Sequence, residues 1–164
     1  MNGRADILFI CTGNICRSPM AEGLFRKMLN VYPAVVSSAG THAMKGLPAS
    51  ESAVAVAAGR GIDIFAHRSR PCSRELLAAA DVVLAMERGH VSLLCLTYPE
   101  YTDRIHLYRQ YGRKQVLKGD PDVPDPYGSD EDTYENTFNI IEAESKRIID
   151  TVSERFGLRP KDKQ

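Results

Sequence analysis

A chain of 164 residues with 43% hydrophobic and 26% charged residues has the size and mix of one soluble globular domain. Twenty-one basic residues balance 21 acidic ones, so the zero net charge gives no general attraction to nucleic acid or a membrane surface, and a charged substrate must be met by a local site. No apolar run approaches the ~20 residues that span a bilayer, the start lacks a signal-peptide layout, and four cysteines do not make a disulfide framework, so the expected setting is cytoplasmic with reduced thiols.

Taken in chain order, strands alternate with helical patterns. Ile7–Ile10 is a continuous apolar run, which predicts a strand buried on both faces. Met20, Ala21, Leu24, Phe25, Met28 and Leu29 follow at helical spacing, with Ser18 placed to cap that helix and Pro19 to begin it. Val35–Ser38 reads as a short second strand. Ser50–Ala58 reads as a helix stopped by Gly59 and Gly61, and Ser73–Ala80 as another. Asp81–Met86 is the third strand, Arg88–Leu96 a helix, and Ile105–Leu107 a weak fourth strand. Lys118–Asp130 is loop, rich in proline and aspartate. In the last helix Tyr134, Phe138, Ile141, Ile148 and Val152 share one face, and Gly157 ends it. A single domain is expected over 1–157, with 158–164 as a flexible tail. The alternation predicts an α/β domain with a parallel sheet, in which ligands bind beyond the carboxyl ends of the strands.

At the end of the first strand, Cys11 is followed by a short loop and then by Arg17 and Ser18. Cys-x5-Arg alone is a weak signal, but its context strengthens it. Gly13 and Asn14 tolerate left-handed backbone conformations, so the loop can turn successive N–H groups inward as an anion nest. The following helix adds its positive end, and Arg17 can hold two oxygens of a tetrahedral oxyanion. Such a bowl fits a phosphate dianion and would stabilise a thiolate on Cys11, set for in-line attack to give a phosphocysteine that water hydrolyses. Cleavage of a phosphoester also needs an acid for the leaving oxygen. The 118–130 loop offers Asp120, Asp122 and Asp125; from the residues alone Asp125, stiffened by proline and followed by Tyr127, is the best of several.

The stretch Ile7–Lys27, ILFICTGNICRSPMAEGLFRK, closely resembles the N-terminal signature of the low-molecular-weight protein tyrosine phosphatases, and Pro124–Gly128, PDPYG, resembles their general-acid loop. The segments SSAGT, GIDIFAHRSR and DVVLAMERGH fall in the family's order between them. The resemblance implies a four-stranded, parallel, twisted sheet flanked by helices on both faces, with the phosphate-binding loop after the first strand, and no metal or other cofactor. It implies Cys11 as nucleophile, Arg17 as phosphate clamp and Asp125 as acid, later the base that activates water. Thr12, Gly13, Asn14, Ile15 and Cys16 would form the rest of the bowl. Ser18 would steady the sulfur, Ser38 would hold Asn14, His67 would be structural, and Tyr127 would stack on an aromatic substrate ring. The substrate would be a phosphotyrosine protein, a bacterial tyrosine kinase among the candidates, with inorganic phosphate or another oxyanion binding in the loop. Single Tyr127 before Gly128 points to a bacterial member.

Three other activities are weighed against this one. Protein arginine phosphatases usually carry Thr at the position of Ile15, whose apolar side chain favours a phenyl ring over a guanidinium. Arsenate reductases need two further cysteines close together, and Cys72 and Cys95 lie far apart in sequence. A non-catalytic phosphotyrosine-binding module would have lost the nucleophile, arginine or acid. Glu87 is assigned no function. No pair among the four histidines has metal-ligand spacing; His42 lies on a rim loop and His90 is given no role. Tyr98, Tyr101, Tyr108 and Tyr111 are expected to pack as one aromatic cluster. The resemblance implies one further property: Cys16 would capture oxidised Cys11 in a disulfide and spare it from irreversible oxidation.

Overall fold

Four apolar stretches become the strands β1 (Ala5–Cys11), β2 (Ala34–Gly40), β3 (Val82–Ala85) and β4 (Ile105–Leu107) in a computed structural model that describes residues 3–161. All pairings are parallel, in the order β2-β1-β3-β4. The helices are α1 (Arg17–Met28), α2 (Glu51–Ala58), α3 (Arg74–Ala79), α4 (Arg88–Thr97) and α5 (Glu131–Phe156). The four-stranded α/β architecture expected from the sequence is therefore the one found.

Alternation along β1 divides the core. Ala5, Ile7, Phe9 and Cys11 face α1, α2 and α5, whereas Leu8 and Ile10 face α3 and α4. On the first side Phe9, Phe25 and Tyr108 pack edge to face or tilted, with ring centroids 4.7–6.2 Å apart. The apolar stripe of α5, from Tyr134 through Val152, is buried against them. The expected tyrosine cluster is split instead. Tyr108 lies inside the first core and donates its hydroxyl to Ile141 O at 2.6 Å, whereas Tyr98 and Tyr101 pack against the second core. Tyr98 ends α4 and Tyr101 lies in the short 3-10 turn Pro99–Arg104 before β4, whereas Tyr108 follows β4 into the other core.

Helix ends follow the local chemistry, with one departure. Ser50, Ser73 and Asp130 cap α2, α3 and α5 with their side chains, and Gly157 closes α5 in the left-handed conformation. Ser18 does not cap α1. Cys16 occupies that position without a side-chain cap, and Ser18 and Pro19 lie inside the first turn. The Ser18 hydroxyl is engaged by Cys11 and Asn14, which outcompete the helix end for it. Just past residue 157, Leu158 is buried and Lys161 N–H donates to Val31 O at 2.6 Å. The remainder of the tail, 162–164, lies outside the described residues.

The strand order reverses direction at β1. The first crossover leads from β1 to β2 on one side, and β3 lies on the other, so the carboxyl ends of β1 and β3 flank a topological switch point. Cys11 ends β1 there, and Glu87 follows β3 at the same edge.

Candidate active site

The 11–17 loop is shaped by Asn14. It is the only non-glycine among the described residues with positive φ, at 57°, and every polar group of its side chain is used. Its Nδ2 donates to Ser18 Oγ at 2.8 Å and to Ser38 Oγ at 2.9 Å, and its Oδ1 accepts from Arg70 N at 3.0 Å. Its carbonyl lies 2.7 Å from His67 Nε2; a carbonyl only accepts, so that nitrogen carries the proton. Gly13 has no positive φ, so asparagine alone takes the left-handed position foreseen for both.

These bonds give the loop a direction. Ser18 accepts from Asn14, which leaves its own hydroxyl hydrogen free for Cys11 Sγ at 3.0 Å. Asn14 N–H points at the same sulfur from 3.3 Å. Two donors on one sulfur strengthen when it carries negative charge. Behind this layer Ser38 donates to Glu22, whose carboxylate lies 3.8 Å from His67 Nδ1. The loop also presses on β2. A Cβ at Gly40 would overlap the Thr12 carbonyl oxygen and come within 2.8 Å of Ala43 Cβ, so only glycine fits there.

Arg17 is 1% exposed and is the largest fully buried side chain among the described residues. Its Nη1 donates to the Glu87 carboxylate and to Val123 O at 2.9 Å, while Nη2 lies 3.3 Å from Asp125 Oδ2. Its Nε is buried without a partner. A buried donor left unpaired costs about 1–3 kcal/mol, and an oxyanion oxygen is the group that would satisfy it. Glu87 thus pins one corner of the guanidinium, Asp125 lies against Nη2, and Nε is the donor left for a ligand.

Cys11 and Arg17 floor a cleft of about 210 Å³ whose sides include Ile15, Asp125 and Tyr127. Tyr127 is 67% exposed. Asp125 is carried by an anchored loop: Val123 N–H donates to Met86 O at 2.8 Å, extending the ladder of β3, and Thr137 Oγ1 donates to Pro124 O at 3.4 Å. Cys16, in the same loop, is buried with Sγ 3.3 Å from Tyr134 OH and 3.4 Å from Ser50 Oγ. Burial pushes its thiol up, more than those two hydrogen bonds bring it down. Burial also raises Tyr134, to about 12.

The expected residues Cys11, Thr12, Gly13, Asn14, Ile15, Cys16, Arg17, Ser18, Asp125 and Tyr127 are thus gathered in one place, with Ser38 and His67 behind them. His42 does not line the cleft; its backbone N–H supports Thr12 O at 2.9 Å. Four residues of the arrangement were not anticipated: Glu87, Glu22, Tyr134 and His90, which is buried beside Thr12. An acid directly after a buried strand, at the sheet end that carries the loop, was the available signal for Glu87.

The sequence model of the family described as low molecular weight phosphotyrosine protein phosphatase matches residues 6–157. The chain is 36% identical over 142 residues to the low molecular weight protein-tyrosine-phosphatase Etp of Escherichia coli K12, an alignment covering 86% of this chain and 90% of that protein. Among solved structures, the YwlE arginine phosphatase from Geobacillus stearothermophilus superposes with a TM-score of 0.85 at 32% identity, covering 92% of this chain and 94% of that one. The tyrosine phosphatase Wzb from Escherichia coli K30, in complex with sulphate, gives 0.81 at 32% identity, covering 90% and 98%.

Proposed function

From the premise that this chain belongs to the low molecular weight phosphotyrosine protein phosphatase family, we propose that it hydrolyses phosphotyrosine with Cys11 as nucleophile, Arg17 as clamp and Asp125 as acid and base. The observation that carries this reading is the cleft itself, with Cys11 and Arg17 on the floor and Ile15 and Tyr127 at the sides. Its apolar lining, Ile15 and the ring of Tyr127, suits a phenyl ring bearing the phosphate.

In the first half-reaction the phosphate dianion sits in the loop, its oxygens taking loop N–H groups and the unpartnered Nε of Arg17. Cys11 sulfur attacks phosphorus in line. The S–P bond forms as the P–O bond to the tyrosyl oxygen breaks, and Asp125 gives that oxygen its proton. In the second, the Asp125 carboxylate takes a proton from water. The water oxygen attacks phosphorus, the P–S bond breaks, and the Ser18 hydroxyl supports the departing thiolate. Donors already aimed at these positions need no reorganisation as charge develops.

The similarity to YwlE keeps arginine phosphatase as the second reading. Ile15 separates the two, since a guanidinium needs polar partners that an isoleucine wall does not supply. The purified enzyme is expected to show a kcat/KM at least ~10²-fold higher for a phosphotyrosine peptide than for the matching phosphoarginine peptide, the scale on which unpaired polar groups are rejected. A preference for phosphoarginine would reverse the assignment. Phosphorylated protein, a bacterial tyrosine kinase in particular, is the partner class that follows, in a cytoplasm that keeps Cys11 reduced.

Cys16 belongs to the same proposal. Peroxide would convert Cys11 to a sulfenic acid, and attack by Cys16 sulfur would form the S–S bond and release water. Cys16→Ser is expected to retain most activity in reductant. After a peroxide pulse the wild type should recover on adding thiol and the variant much less. Equal recovery, with no Cys11–Cys16 peptide by mass analysis, would reduce Cys16 to a packing residue.

A further inference from the structure

We infer that neutral His90 is a positioning residue that ties the phosphate loop to the segment holding Arg17. The inference rests on the phosphatase reading and adds to it a residue that touches neither substrate nor sulfur.

His90 lies in the first turn of α4, 5% exposed, directly beyond β3. Its Nδ1 lies 3.1 Å from Glu87 N. A backbone N–H only donates, so Nδ1 is the unprotonated nitrogen and Nε2 carries the hydrogen. That Nε2–H is 2.8 Å from Thr12 Oγ1, which accepts it. One imidazole therefore joins Thr12, the residue after the nucleophile, to the backbone of Glu87, whose carboxylate holds Arg17 Nη1. Thr12 and Arg17 both line the cleft, and His90, which does not, links the segments that carry them. Fixed geometry of this kind sets how well the clamp meets the transition state.

The tautomer argument gives the arrangement a pH sign. A second proton has to go on Nδ1, where the Glu87 N–H already points, and two donors would then face each other. Burial holds the pKa of His90 below its ordinary value and Arg17 pushes the same way, against Glu87, Asp122 and Asp125. The neutral form is therefore present at neutral pH, and the link is lost as pH falls through the lowered value.

His90→Gln keeps an acceptor for the Glu87 N–H, since glutamine at the third helical position completes a capping box, and removes the imidazole. With an aryl phosphate, kcat is expected to fall roughly tenfold. Vanadate, which mimics the transition state, should lose affinity with it, and inorganic phosphate should lose less. Thr12→Val should fall similarly, and the double variant should be no worse than either single one. The ratio of wild-type to His90→Gln activity should be flat from about pH 7 to 8 and approach one in acid. Multiplicative loss in the double variant, or a ratio independent of pH, would overturn the inference, as would a variant equal to the wild type. Should His90→Gln not fold, nitrogen-15 NMR of the wild type decides: a hydrogen on Nδ1 at neutral pH would refute the coupling. A wild type inert toward aryl phosphates overturns the phosphatase reading and the inference together; an active wild type with an unimpaired variant overturns the inference alone.

Discussion

Replacing Cys11 with serine is expected to lower aryl phosphate turnover by roughly 10⁴–10⁶-fold, the scale on which removing a covalent nucleophile falls, while leaving oxyanion binding largely intact. The two effects separate because different groups produce them. Turnover requires a polarizable sulfur that forms and breaks a bond to phosphorus at neutral pH. Binding would use the loop N–H groups and the unpartnered Nε of Arg17, and neither includes the sulfur atom. Serine keeps a small polar group where Ser18 and Asn14 N–H already point, so the loop retains its internal hydrogen bonds. Steady-state kinetics with p-nitrophenyl phosphate and calorimetric titration with phosphate, on one preparation, check both halves. Turnover near that of the wild type would refute the phosphocysteine route. Loss of binding as well would show that the sulfur organises the loop.

Asp125→Asn is expected to lower kcat by roughly 10²–10⁴-fold, the range for a lost general acid. Asparagine preserves shape but gives the leaving oxygen no proton. The loss should therefore shrink as the leaving group becomes more acidic, and a series of substituted phenyl phosphates provides that slope. The structure also distinguishes this residue from its neighbours. Asp122 accepts the Arg88 backbone N–H at 2.8 Å and that residue's guanidinium at 3.2–3.3 Å. Burial pushes the Asp122 carboxyl up, but the bonds and charge of Arg88 outweigh it and hold the group below its ordinary value. Asp120 is drawn to the same arginine. Asp125 instead lies 3.3 Å from Arg17 and lines the cleft. A severe Asp122→Asn combined with a mild Asp125→Asn would move the acid to the other carboxylate.

Much of this site was legible because its parts are local. Cys11 through Ser18 form one strand-to-helix turn, and the requirement for a left-handed position shows directly in Asn14. Asp125 and Tyr127 were legible through a second short motif. What was not legible depends on register across the sheet. Glu87 reaches Arg17 because Met86 N–H bonds to Ile10 O at 2.9 Å, which sets the ends of β3 and β1 level, and nothing in the local sequence around residue 87 encodes that alignment. Tyr134 shares the apolar stripe of α5, so its period announced a core residue, whereas its hydroxyl beside Cys16 follows from how α5 crosses the loop. Ser18 failed in the opposite sense. Its position read as a cap, but the tertiary demand of the sulfur and of Asn14 outranked the local preference.

Arg17 gives the protein a link between occupancy and folding. Its charge belongs to the core, yet one of its donors, Nε, is completed only from outside the chain. An oxyanion that binds the folded state alone stabilises it by RT ln(1 + [L]/Kd), about 2.7 kcal/mol at one hundred times Kd. In the proposed reaction, product phosphate would be such a ligand. Under the proposed hydrolysis, added phosphate is therefore expected to raise the temperature at which the domain unfolds while it competes with the substrate, and a thermal melt with and without phosphate checks this.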